Sequence, residues 1–329
     1  MWRTCAGWTG YNKNKYIMAL QILLLLVGLA LIVFGADWLV DGASTIARKA
    51  GISEFVIGLT IVGFGTSCPE LVVSLTGALQ GNADISVGNV IGSNIFNTLL
   101  ILGMTAVIAP LAVTKANARR DIPIVVLVTF LFAVFCLSGH EINRWEGIAF
   151  LLVFALYMFF CFKSDAGETA GEAAEVKEMN IWLAILLVAA GLGGLIFGGQ
   201  LFVNNATDIA RALGVSDKFI AITLLAGGTS FPELATCIVA AAKKKDQLAL
   251  GNILGSNVFN ILLILGASAV ITPLSTLSVD LVDLGVIMLS VVLVWLWTYT
   301  GHRNRIDRWE AVLMLLCFVG YYAWLFMKL

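Results

Sequence analysis

Two six-residue segments carry carboxylates into apolar surroundings: Gly65-Thr-Ser-Cys-Pro-Glu70 and Gly228-Thr-Ser-Phe-Pro-Glu233. A charge at bilayer depth costs several kcal/mol or more, so an intramembrane acid is a functional-site candidate that must face water or a partner. Pro69 and Pro232 lack the helical N–H, and Gly65 and Gly228 tolerate open dihedrals, so the helix is expected to break there and free backbone carbonyls. Carbonyls freed at that depth need an occupant, and a cation serves. Thr66, Ser67, Thr229 and Ser230 add hydroxyl oxygens. A second pair of segments, Gly88-Asn-Val-Ile-Gly-Ser-Asn-Ile-Phe-Asn97 and Gly251-Asn-Ile-Leu-Gly-Ser-Asn-Val-Phe-Asn260, spaces Ser93 from Asn97 and Ser256 from Asn260 at i, i+4, one helix face each. Gly88, Gly92, Gly251 and Gly255 recur at the same interval and allow close helix packing. The donor set is all oxygen, which suits calcium, magnesium or sodium rather than zinc or copper. Two glutamates would neutralise one divalent ion, and the same oxygens could hold monovalent ions instead.

The elements that must position these residues follow from composition. Of 329 residues, 60% are hydrophobic and 12% charged, too few charges for a soluble globule. Apolar runs long enough to cross a hydrocarbon core recur end to end, predicting an all-α polytopic membrane protein. Breaks at polar junctions give ten transmembrane helices near residues 17–47, 54–79, 85–108, 121–139, 145–163, 180–212, 217–242, 247–271, 280–300 and 308–327. Residues 1–16 read as an N-terminal tail, 17–163 as a first five-helix repeat, 164–179 as an acidic linker loop and 180–329 as a second repeat. Sliding the chain by 163 residues superimposes Gly28–Gly103 on Gly191–Gly266 with 32 of 76 positions identical. Arg144-Trp-Glu146 matches Arg308-Trp-Glu310 one residue further on. Five crossings per half make the halves inverted-topology repeats. With the N-terminus outside, inward loops hold 13 of the 20 Lys and Arg, so both termini are expected outside a cell (inner) membrane.

The duplicated motifs resemble the two alpha-repeats of the sodium/calcium exchanger branch of the calcium/cation antiporter superfamily, and the likeness covers nearly the whole chain. The resemblance implies an antiporter rather than an enzyme, with calcium and sodium as transported ions, no resident cofactor and alternating access at one central site. It implies that the second, third, seventh and eighth helices surround the ions while the first and sixth slide across them. Carried over by position, Glu70 and Glu233 with the carbonyls of Thr66 and Thr229 cage calcium. Sodium draws on Ser67, Ser93, Ser230, Ser256 and the carbonyls of Gly63 and Ala226, and Asn97 and Asn260 line the centre. Relatives of this type trade about three sodium ions per calcium, a net charge movement that responds to voltage.

Other readings are weighed on other residues. Asp37, Asp41 and Asp208 have Gln200, Asn204 and Thr45 as repeat counterparts, so charge is not kept, and interfacial or helix-end roles are expected. His140 and His302 sit at loop edges as solvated polar residues. The Lys243–Lys245 run reads as a topology signal, no basic footprint points to nucleic acid, and the lipid bilayer is the one partner evident besides the ions. Glutamates can take protons as well as sodium, so a proton/calcium or other divalent-cation exchanger is the alternative, with a passive cation channel behind it. No nucleophile–base pair supports an intramembrane hydrolase. Potassium-dependent relatives resemble one another in carrying aspartate where this chain has Asn260. An amide adds no charge to balance an extra cation, so calcium uptake into vesicles is expected to proceed unchanged when choline replaces potassium; a strict potassium requirement contradicts this.

Overall fold

The computed structural model describes residues 5–165, 179–215, 226–300 and 304–328. Among the described residues seven single helices are long and apolar enough to cross a membrane: Ile17–Ala50, Ala83–Ile108, Asn117–Ser138, Arg144–Lys163, Ile181–Ala212, Asp246–Ile271 and Arg308–Lys328. The expected second span is a bent pair, Glu54–Thr66 and Cys68–Leu79, meeting at 49°. Leu281–Trp297 stands where the ninth is expected, and Phe231–Ala242 forms the second part of the seventh, whose residues 216–225 lie outside the described ones. The polar N-terminal stretch, read as a tail, continues the first helix from Cys5 onward. Adding turns to an existing helix needs no new nucleus.

Two strand pairs link the halves. β1 (Leu111–Ala112) pairs antiparallel with β4 (Arg305–Ile306), and β2 (Glu141–Ile142) with β3 (Leu274–Ser275). Each pair takes one strand from each half and closes one end of the bundle. In the expected order of ten spans β1 and β4 follow odd-numbered ones and β2 and β3 even-numbered ones, so the observed pairing agrees with the parity of inverted repeats. Both Arg-Trp-Glu segments start their helices alike: Glu146 Oε2 accepts from Asn143 N, and Glu310 Oε2 from Asp307 N, each at 2.8 Å.

Burial separates core from periphery. In the third and eighth spans 72% and 83% of the apolar stretch is buried, against 11% and 28% in the first and sixth. The first span's 34 residues and the sixth's 32 make helices roughly 50 Å long, more than a hydrocarbon core needs. These two cross antiparallel at glycines seven residues apart. A Cβ on Gly28 would lie 2.9 Å from Gly198 O, one on Gly35 2.8 Å from Gly191 O, and one on Gly42 2.6 Å from Ala184 O. Backbones thus touch directly, as membrane helices do where only small residues intervene. At the β1–β4 end, Lys243 Nζ sits 2.7 Å from both Asp37 Oδ1 and Asp41 Oδ1, so these aspartates tie the first span to the seventh. Burial works against the Lys243 ammonium, but its hydrogen bonds to Asp37 and Asp41 outweigh that and hold its pKa above the ordinary lysine value. Lys245 pairs with Glu54 at 2.5 Å on the same face. Asp208 is exposed near the end of the sixth span, His140 is exposed in a loop, and His302 lies outside the described residues.

Gly35→Leu places a side chain against the Gly191 carbonyl and is expected to destabilise the helix pair by about 1–3 kcal/mol, read as a lower melting temperature in detergent. Gly193→Ala, with no described atom within 4 Å of its Cβ, is expected to leave that temperature unchanged.

Candidate ion-binding site

The two breaks occur at equivalent serines. Ser67 has φ −84° and ψ 6°, Ser230 has φ −89° and ψ 6°, and each is followed by a new twelve-residue helix with proline in its first turn. Proline suits that position because first-turn N–H groups have no intrahelical acceptor. Glu70 and Glu233 therefore stand in the first turns of Cys68–Leu79 and Phe231–Ala242. A helix start carries partial positive charge, which offsets part of the cost of an anion there.

The two carboxyl groups are strapped across the repeat. Ser230 Oγ donates to Glu70 Oε1 at 3.0 Å, and Ser67 Oγ donates to Glu233 Oε1 at 2.9 Å. Each half thus holds the other half's acid through its own break residue. Both glutamates are 1% exposed, and the second oxygen of each, Glu70 Oε2 and Glu233 Oε2, has no hydrogen-bond partner among the described residues. Ser93 Oγ, Ser256 Oγ, Thr229 Oγ1, Asn97 Oδ1 and Asn260 Oδ1 are in the same state. Seven of the thirteen such buried side-chain atoms thus belong to residues singled out by the sequence. A buried polar atom without a partner costs about 1–3 kcal/mol, and the glutamate, serine and asparagine atoms among these seven come in repeat-related pairs, whereas Thr66, the counterpart of Thr229, is hydrogen-bonded.

Neighbouring elements shape this cage. Asn97 and Asn260 stand second in π-helical stretches, Phe96–Ile101 and Phe259–Leu265, and such widened turns gather at functional sites. The eighth span meets the second backbone to backbone: a Cβ on Gly251 would lie 2.2 Å from Phe55 O and one on Gly255 2.5 Å from Leu59 O. Around Gly88 and Gly92 no described atom comes within 4 Å of such a Cβ. Thr66 Oγ1 bonds Val62 O at 3.0 Å and Asn252 Oδ1 at 3.1 Å. Gly63 O, expected among the sodium ligands, accepts from Ser67 N at 3.1 Å and Thr66 Oγ1 at 3.4 Å, so ligation there would compete with these bonds. Ala226 opens the short helix Ala226–Gly228 that precedes the second break.

Sequence reasoning passed over four asparagines of the same duplicated motif. Asn89 Nδ2 donates to Glu70 O at 3.2 Å and Ser74 Oγ at 2.9 Å, while its counterpart Asn252 donates to Cys237 Sγ at 3.2 Å. Asn94 and Asn257 bridge the third and eighth spans. Their signal was available, since Asn89 matches Asn252 and Asn94 matches Asn257 across the repeat. Among the described residues no group of three or more His, Cys, Asp or Glu could hold a metal, so any ion here relies on two carboxylates and neutral oxygens.

Inverted helical halves enclosing a buried oxygen cage with one acid from each half define a polytopic membrane transporter for cations. The comparisons specify which. The sequence profile described as "Sodium/calcium exchanger protein" matches residues 20–163 and 183–327, and the chain belongs to that family. It is 39% identical over 318 residues to "Putative antiporter CaxA" of Alkalimonas amylolytica, covering 94% of this chain and 99% of that protein. It is 34% identical over 350 residues to "Sodium/calcium exchanger MaX1" of Methanosarcina acetivorans, again covering 94% and 99%. A solved structure of the sodium-calcium exchanger NCX_Mj, soaked with zero Na+ and Ca2+, superimposes with a TM-score of 0.83 at 32% identity over 94% of this chain and 99% of that one.

Glu70→Gln and Glu233→Gln keep the side-chain shape and remove the charge. Each is expected to abolish the rise in melting temperature that calcium produces by binding the folded state, while the melting temperature in chelator stays equal to or above wild type.

Proposed function

We propose that the protein is a secondary antiporter exchanging sodium for calcium across a cell membrane, with Glu70 and Glu233 as the shared charge. One observation carries this reading: each glutamate is fixed through one oxygen by the opposite half's serine, and its other buried oxygen has no partner among the described residues. Two such carboxylates neutralise one divalent ion, and no lysine or arginine among the described residues is paired with either. The carbonyls of Thr66 and Thr229 complete the calcium cage, and Thr229 sits where the break leaves its hydroxyl unpartnered.

Sodium takes neutral oxygens beside the same two glutamates. Ser67, Ser93, Ser230 and Ser256, with the carbonyls of Gly63 and Ala226, supply the dispersed ligands that small monovalent ions accept, and Asn97 and Asn260 supply the central ones. Calcium and sodium compete because both need the glutamates, so the filled states of the two ions are mutually exclusive. The long first and sixth helices, joined to each other through glycine contacts and lying outside the buried third and eighth spans, are the elements able to move across the site as a unit. The inverted halves give the two exposures equivalent geometry. The positive-inside rule puts the β1–β4 end, with Lys243–Lys245 and Arg305, on the cytoplasmic side and both termini outside.

The test is calcium uptake into proteoliposomes under imposed sodium, potassium or proton gradients. Wild-type protein is expected to take up calcium against a sodium gradient only. Glu70→Gln and Glu233→Gln are expected to lose at least about 100-fold in rate, as follows from deleting a ligand worth about 3 kcal/mol or more. The inside-negative potential that sodium exit generates during calcium uptake is expected to change the rate, since more than two sodium ions per calcium carry net charge. Normal transport by both variants, or uptake driven equally by protons, overturns the reading.

A further inference from the structure

The amides at the centre of the site are not held alike. Asn94 Nδ2 donates to the backbone carbonyl of Asn257 at 3.3 Å, and Asn260 Nδ2 donates to Asn94 Oδ1 at 2.9 Å. Asn94 and Asn257 are 1% exposed and Asn260 fully buried. The direction of this chain of bonds is forced. A carbonyl can only accept, so Asn94 must turn its NH2 toward Asn257 O, and its oxygen must then be the end that meets Asn260. An amide oxygen also can only accept, so Asn260 must present its NH2 to Asn94 and turn Oδ1 the other way. That oxygen is one of the buried, unpartnered ones.

The mirror-image chain does not form. By the repeat it would run from Asn97 to Asn257, but Asn257 Nδ2 donates to Thr98 Oγ1 at 2.8 Å and its Oδ1 has no partner among the described residues. The halves differ at this contact: Thr98 corresponds to Ile261, which has no hydroxyl to accept the equivalent bond from Asn94. Asn257 therefore turns to Thr98, while Asn94, facing the isoleucine half, turns to the Asn257 carbonyl and leaves its oxygen for Asn260.

We propose that Asn94 is a positioning residue for sodium selectivity, locking the Asn260 amide so that oxygen rather than NH2 faces the transported cation. This rests on the reading of Asn260 as a central ligand. An amide is a ligand from one end and a repulsive donor from the other, so the same side chain aids or opposes a cation according to its flip. In a chain with no third carboxylate, whose two oxygens would serve in either orientation, that flip decides whether the central position works at all.

The experiment is a double-mutant cycle in proteoliposomes, reading the half-saturating sodium concentration for sodium-driven calcium uptake and the half-saturating calcium concentration for calcium/calcium exchange without sodium. Asn94→Ala, and Asn94→Leu as a volume-keeping second variant, are expected to raise the sodium value about 3- to 10-fold and to leave the calcium value within about twofold. In an Asn260→Ala background, either Asn94 change is expected to add less than about 1.5-fold, because Asn94 acts through Asn260. If Asn260→Ala shifts the sodium value but the Asn94 effect is additive with it, or moves calcium equally, Asn94 is only interhelical packing and the proposal fails. If Asn260→Ala leaves the sodium value unchanged, the reading of Asn260 as a ligand fails and takes this proposal with it.

Discussion

Two carboxylates buried in the middle of an apolar bundle, with no lysine or arginine paired to them among the described residues, are the constraint around which the rest is arranged. Desolvation makes such a pair costly, and every local feature near it reduces that cost without cancelling the charge. Helix starts place partial positive charge at Glu70 and Glu233. Serines at the breaks each satisfy one oxygen of the opposite acid. What the protein withholds is as informative: the second oxygen of each acid is buried and without a partner among the described residues. A transporter needs this incompleteness, since a fully satisfied acid would have no reason to bind an ion, and a salt-bridged one no charge left for it.

Duplication explains how one site can face both ways, and departures from it show where the halves have taken separate roles. Ser67 and Ser230, Glu70 and Glu233, and the paired π-helical turns at Asn97 and Asn260 follow the two-fold relation closely. Asn89 with Ser74 becomes Asn252 with Cys237, and Thr98 becomes Ile261. At the periphery, Lys243 joins Asp37 and Asp41, whereas the equivalent positions are Gln80, Gln200 and Asn204. Among the described residues the first span is therefore tied by charge to the seventh at one face. Exposed pairs of this kind contribute about 0–1 kcal/mol each, enough to bias a balanced equilibrium and too little to lock it.

Much of this was legible in the chain because the bilayer permits few alternatives. Apolar length fixes spans, an odd count per half fixes inversion, and a proline beside an intramembrane glutamate fixes the break that carries the acid to a helix start. The strand pairs, β1 with β4 and β2 with β3, were not legible, since two-residue strands have no periodicity to read. The pairing of Asp37 and Asp41 with Lys243 was also out of reach: the partners are about 200 positions apart and no local pattern joins them.

The amino-acid order by itself determined which residues could hold a cation and that they come in two inverted copies, because burial cost and helix breaking are properties of residue types in an apolar run. Only the tertiary structure decided how those residues are turned: which serine serves which acid, which oxygens are left over, and that Asn94 orients Asn260 while Asn257 turns to Thr98 instead. The reason is that an amide or hydroxyl has no preferred sense of its own. Its direction is set by the nearest acceptor across an interface, and such neighbours exist only once the two halves have packed.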